Sequence, residues 1–131
     1  AEAIAQGIAA SGDVAVRRYD MVEADPAKVE EELLFADGFL LGTPTIVGQA
    51  LRPIWELTLE MFPATHDGKL AGAFGSYGWS GEAVPNLTAR MQQLRLSLPL
   101  EGMRVRFCPT QEDLAAAVQF GRDFAKAVRG E

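Results

Sequence analysis

The sequence predicts an α/β fold in which a parallel sheet is wound on both faces by helices, and two observations carry that reading. Short apolar runs alternate with segments of helical period, and this spacing needs crossovers that lay helices on both faces of a parallel sheet. The runs "GFLLG" and "KLAGAFG" are apolar without alternation, as strands covered on both sides are. With 131 residues, no linker composition, no repeat and no low-complexity tract, residues 1–131 read as one domain.

Each element has a local cause. "AEAIAQGIAASG" is Ala-rich, with Ile4 and Ile8 one turn apart, and reads as a helix ended by Gly12. "VAVRRY" follows as a short strand. Asp25-Pro26 reads as an N-cap followed by proline at the first helical position, opening a helix through "AKVEEELLF" with Val29, Leu33 and Leu34 as its buried stripe. "GFLLG" is the next strand. After "TPTIVGQA" comes the helix "LRPIWELTLEMF", with Pro53 in its first turn, and then the strand "KLAGAFG". Glu82 suits the positive end of the helix "EAVPNLTARMQQL". "MRVRF" is the last strand, and Thr110-Gln111-Glu112-Asp113 has the form of a capping box opening the terminal helix.

Composition removes several function classes. The chain is 48% apolar and 23% charged, which is ordinary for a packed domain, and its net charge of −6 argues against a nucleic-acid partner. No apolar run approaches the ~20 residues that span a bilayer, so no membrane segment is expected. Cys108 is the only cysteine, which excludes an intrachain disulfide and fits a cytoplasmic location. His66 is the only histidine and sits in the turn-like "PATHDGK", so no His-rich metal site is expected and no metal ligand is assigned. Asn86-Leu87-Thr88 matches a glycosylation sequon by chance.

In doubly wound sheets ligands bind outside the carboxyl ends of the strands. The two unusual loops, "GTPTIVGQA" and "GSYGWSGEA", both fall there and are expected side by side. Neither is a dinucleotide fingerprint or a P-loop, and Ser76 and Ser80 have no histidine base for a hydrolase triad. What the loops offer is glycine-freed backbone amides, the hydroxyls of Thr43, Thr45, Ser76 and Ser80, and the rings of Tyr77 and Trp79. A planar ligand edged with heteroatoms would use all three, as a flavin or a nucleotide base does. Simple packing of the two aromatics over the sheet edge is the alternative.

"GTPTIVG" after "FLL", "GAFGSYGWSGEA" after "KLA" and the terminal "MRVRFCPTQEDLAAAVQFGRDFA" closely resemble the flavodoxin-like domain of flavodiiron proteins, also called A-type flavoproteins. The resemblance covers nearly the whole chain. It implies a flavodoxin-like fold and an FMN cofactor, held by Thr43, Pro44, Thr45 and Ile46 in one loop and by Ser76, Tyr77, Gly78, Trp79, Ser80 and Gly81 in the other, with Trp79 against the isoalloxazine ring. Val47-Gly48 departs from the asparagine the family often carries after its proline–threonine pair.

The resemblance also implies an electron-transfer role. Such a domain takes electrons from a donor protein, rubredoxin-like or a flavin reductase, and passes them to a di-iron domain that reduces oxygen or nitric oxide, with a homo-oligomer among the arrangements open to it. The family's first strand and its phosphate loop have no counterpart in this sequence, nor has the metallo-β-lactamase-like domain that carries the iron. An N-terminally incomplete domain of a longer protein is therefore expected, not catalytic alone, with "VAVRRY" and "GFLLG" flanking an empty slot. Two other readings remain at this point: a stand-alone NAD(P)H:quinone oxidoreductase with a similar "PT" loop, and a flavin-free signalling module. For a receiver domain Asp37 precedes its strand where a phosphoacceptor should follow it.

Overall fold

In the computed structural model the described residues are 1–12, 14–21, 23–43, 52–59, 69–77, 82–106 and 109–130. Helix α1 (Glu2–Ala10) buries Ile4 and Ile8, and Gly12 just beyond it takes φ +73°, a left-handed conformation that costs little without a Cβ. Helix α2 (Pro26–Phe35) opens as its sequence dictates: the Asp25 carboxylate accepts the Ala27 N–H at 3.1 Å and Pro26 fills the first position. Val29 and Leu33 are buried, whereas Leu34 is exposed, contrary to expectation. Five positions on from Val29, Leu34 lies about 140° around the helix and cannot share its stripe.

Strand β1 (Gly38–Gly42), helix α3 (Arg52–Leu59), strand β2 (Leu70–Tyr77), helix α4 (Ala83–Gln93), strand β3 (Met103–Arg106) and helix α5 (Gln111–Val128) complete the described elements. Pro85 falls in the first turn of α4, where its missing N–H breaks no helical bond. The capping box of α5 is fully formed: the Thr110 hydroxyl accepts the Asp113 N–H at 3.1 Å, and the Asp113 carboxylate accepts the Thr110 N–H at 2.9 Å.

The three strands form one parallel sheet in the order β1-β2-β3. Phe39 and Leu41 point to one face, where Val29, Leu33, Leu57, Leu87 and Met91 pack; Leu40, Phe74 and Met103 point to the other, against Ile4, Ile8 and Ala117. Helices therefore cover both faces, as the apolar strand runs predicted. "VAVRRY" corrects the sequence reading, because residues 14–19 form no strand. Strand propensity needs a hydrogen-bonded neighbour to become a strand, and none of the described residues pairs with this segment. A groove of about 770 Å³ runs instead along the outer edge of β1, lined from both helix layers by Ile4, Ile8, Val29, Leu33 and Phe124. His66 and Cys108 lie outside the described residues.

Helices α1 and α5 cross in direct backbone contact. A Cβ built on Gly121 would collide with the Ile4 carbonyl oxygen, and one on Gly7 with that of Val118. Gly121→Ala should therefore push α1 off the sheet and cost about 2 kcal/mol, within the range for overpacked cores. Chemical denaturation checks this, and an unchanged midpoint would show that the crossing can yield.

Candidate functional site

The parallel register brings the ends of β1 and β2 together. Gly42 pairs with Phe74, and the Thr43 N–H donates to the Phe74 carbonyl at 3.1 Å, so β1 continues its ladder into the first residue of its loop. Thr43 is only 4% exposed. Beside it, Gly75 is irreplaceable by shape. A Cβ there would collide with the Thr43 carbonyl oxygen and stand 3.2 Å from Cγ2 of Val84, the second residue of α4. Glycine thus lets the two strand ends and the start of α4 meet at one point.

Ser76 and Tyr77 follow Gly75 as the last residues of β2, both half-buried, and pair with Val105 and Arg106 of β3. Thr43, Ser76 and Tyr77 therefore share the carboxyl edge of the sheet, the edge where ligands of such folds bind. Pro44, Thr45 and Ile46 of the first loop and Gly78, Trp79, Ser80 and Gly81 of the second lie outside the described residues. Arg106 was not singled out from the sequence. Its guanidinium stands 5.9 Å from the centre of the Tyr77 ring, within range of a cation–π contact. The signal was available: Arg106 ends the alternating "MRVR" strand, which the parallel order brings level with the end of "GAFGSY".

Chemically, the described part of the edge supplies the aliphatic hydroxyls of Thr43 and Ser76 and the phenol ring of Tyr77, joined by a glycine whose missing side chain keeps the strand ends adjacent. These residues fit a flat, heteroatom-edged group in kind. Proton chemistry has less support. Among the described residues the one side chain with a shifted pKa, Lys69, stands at the opposite, amino end of β2, where burial lowers it against the opposing pull of Asp37 and its ammonium donates to the Leu33 carbonyl. Asp37 directly precedes β1, at the same amino end, which removes the receiver-domain reading. Among the described residues no cluster of His, Cys, Asp and Glu could hold a metal ion, and no helix is long and apolar enough to cross a membrane.

Comparison with known proteins agrees with this geometry. No family model matches the chain. The flavo-diiron protein FprA2 of Clostridium acetobutylicum is 40% identical over 129 residues, and the type A flavoprotein fprA of Rhodobacter capsulatus is 42% identical over 130. These alignments take in 98% and 99% of this chain but 32% and 30% of the relatives, so the chain spans about a third of their length. The solved structure of a flavodoxin from the domain Archaea superposes with a TM-score of 0.85 at 30% identity, covering 98% of this chain and 87% of that one. With its parallel sheet, its paired strand ends and this likeness along its whole length, the chain belongs to the flavodiiron, or type A, flavoproteins, as their flavodoxin-like, FMN-binding domain.

Proposed function

We propose that this domain holds FMN at the carboxyl edge of β1 and β2 and relays electrons through it to a di-iron domain of the full-length protein, where oxygen or nitric oxide is reduced. The observation that carries the site is the meeting of Thr43 and Gly75, which sets the first residue of one loop against the last residues before the other. FMN, when bound, supplies the electron-carrying chemistry. The chain supplies its bed: hydroxyls from Thr43, Thr45, Ser76 and Ser80, backbone amides from Pro44-flanking and glycine-rich positions including Ile46, Gly78 and Gly81, and the rings of Tyr77 and Trp79 for the flat face. An electron donor protein, rubredoxin-like or a flavin reductase, and a cytoplasmic setting belong to the same proposal. The quinone-oxidoreductase reading has less behind it, since the relatives named above are a flavo-diiron protein and a type A flavoprotein.

The test is Trp79→Ala in the full-length protein. FMN affinity should fall by about 0.5–1.5 kcal/mol, the worth of an aromatic contact beyond area burial, with folding intact. Fluorescence titration of FMN and circular dichroism measure the two. Unchanged affinity would remove Trp79 from the flavin wall, and a parent protein lacking flavin absorbance would remove the function itself.

A further inference from the structure

We infer that Arg106 is a positioning residue of the flavin site: its guanidinium fixes the Tyr77 ring and places a positive charge that favours reduced over oxidised flavin. The inference rests on reading Ser76 and Tyr77 as part of the FMN site. Arg106 ends β3 and is the register partner of Tyr77, so the backbone ladder itself brings the two residues level. A Cβ at Gly75 would face Val84 of α4, and alternate residues of a strand share a face. Tyr77 therefore stands on the α4 side of the sheet, and the guanidinium 5.9 Å from its ring centre lies on that side too. One flank of the ring is taken by the cation.

The charge has a thermodynamic consequence. Flavin that gains two electrons and one proton gains one negative charge. A fixed cation beside the site then strengthens binding of the reduced form relative to the oxidised one, against the background of a chain with net charge −6. Arg106 is exposed, so water screens the interaction and the preference is modest, about threefold for a unit charge at close range. For a two-electron couple, with about 30 mV per tenfold, threefold corresponds to about 14 mV.

The experiment compares FMN-loaded full-length protein with its Arg106→Gln and Arg106→Lys variants. Dithionite titration gives the two-electron midpoint potential, and fluorescence quenching gives the dissociation constant of oxidised FMN. Arg106→Gln should lower the potential by about 14 mV, the equivalent of threefold, while Arg106→Lys, which keeps the charge, should restore most of it. A yellow Arg106→Gln protein with the parent's potential overturns the inference and leaves the FMN site standing. Equal potentials in the Gln and Lys variants overturn it too, because the charge would then be irrelevant. A parent protein that binds no FMN overturns both.

Discussion

Gly75→Val should separate the ends of β1 and β2 and abolish the candidate site along with much of the domain's stability. The new side chain must occupy space held by the Thr43 carbonyl and by Val84, so neither a rotamer change nor a small shift of one flexible group relieves it. Overpacking of this kind costs about 3 kcal/mol, a large share of the 5–15 kcal/mol by which a domain is ordinarily stable. FMN affinity should fall at least about tenfold, a loss of about 1.4 kcal/mol, because Thr43 is driven away from Ser76 and Tyr77. Gly75→Ala should lie between parent and valine variant in both measurements. Urea unfolding and FMN titration of the two variants decide the matter. A valine variant as stable as the parent would mean that the strand ends are not locked where the structure locks them, whereas a destabilised variant with parental FMN affinity would move the flavin elsewhere.

The parts of this fold that could be read from the sequence are those whose cause is local. Asp25-Pro26 and Thr110 to Asp113 satisfy helix-end N–H groups within a few residues, so composition and spacing were enough to place both caps. The apolar runs of β1 and β2 likewise announced burial on both faces. Features that depend on a distant partner were not legible. "VAVRRY" has strand composition, but a strand exists only where another offers its edge. Gly7 and Gly121 look like weak spots in two helices until α1 and α5 are seen to cross there. The site divides in the same way. Glycines and aromatics in "GSYGWSGEA" marked Tyr77, although it ends β2 and does not lie in the loop as the sequence reading had it, but Arg106 gained meaning only from the register of β2 against β3.

The outer edge of β1 carries the other large expected effect. The Thr43 N–H points to β2, and successive N–H groups of a strand alternate in direction, so those of Leu40 and Gly42 point into the groove. That groove is bounded by apolar residues from both helix layers, Ile4 and Phe124 on one side and Val29 and Leu33 on the other, which is the setting of a buried central strand. Buried N–H and C=O groups without partners cost about 1–3 kcal/mol each, so an edge in this setting gains by pairing. We propose that the strand the family resemblance places between "VAVRRY" and "GFLLG" lies here in the full-length protein, parallel to β1 and apolar on both faces. The amides of Leu40 and Gly42 should then exchange with solvent on the order of a thousandfold more slowly in the full-length protein than in the 131-residue chain alone. Phe39 and Leu41, whose N–H groups follow the alternation of Thr43 toward β2, should be protected in both if the chain alone keeps its sheet. Hydrogen exchange read residue by residue separates the cases. Rapid exchange at Leu40 and Gly42 in the full-length protein, with Phe39 and Leu41 protected, would show that β1 is a true edge and that the groove holds no strand.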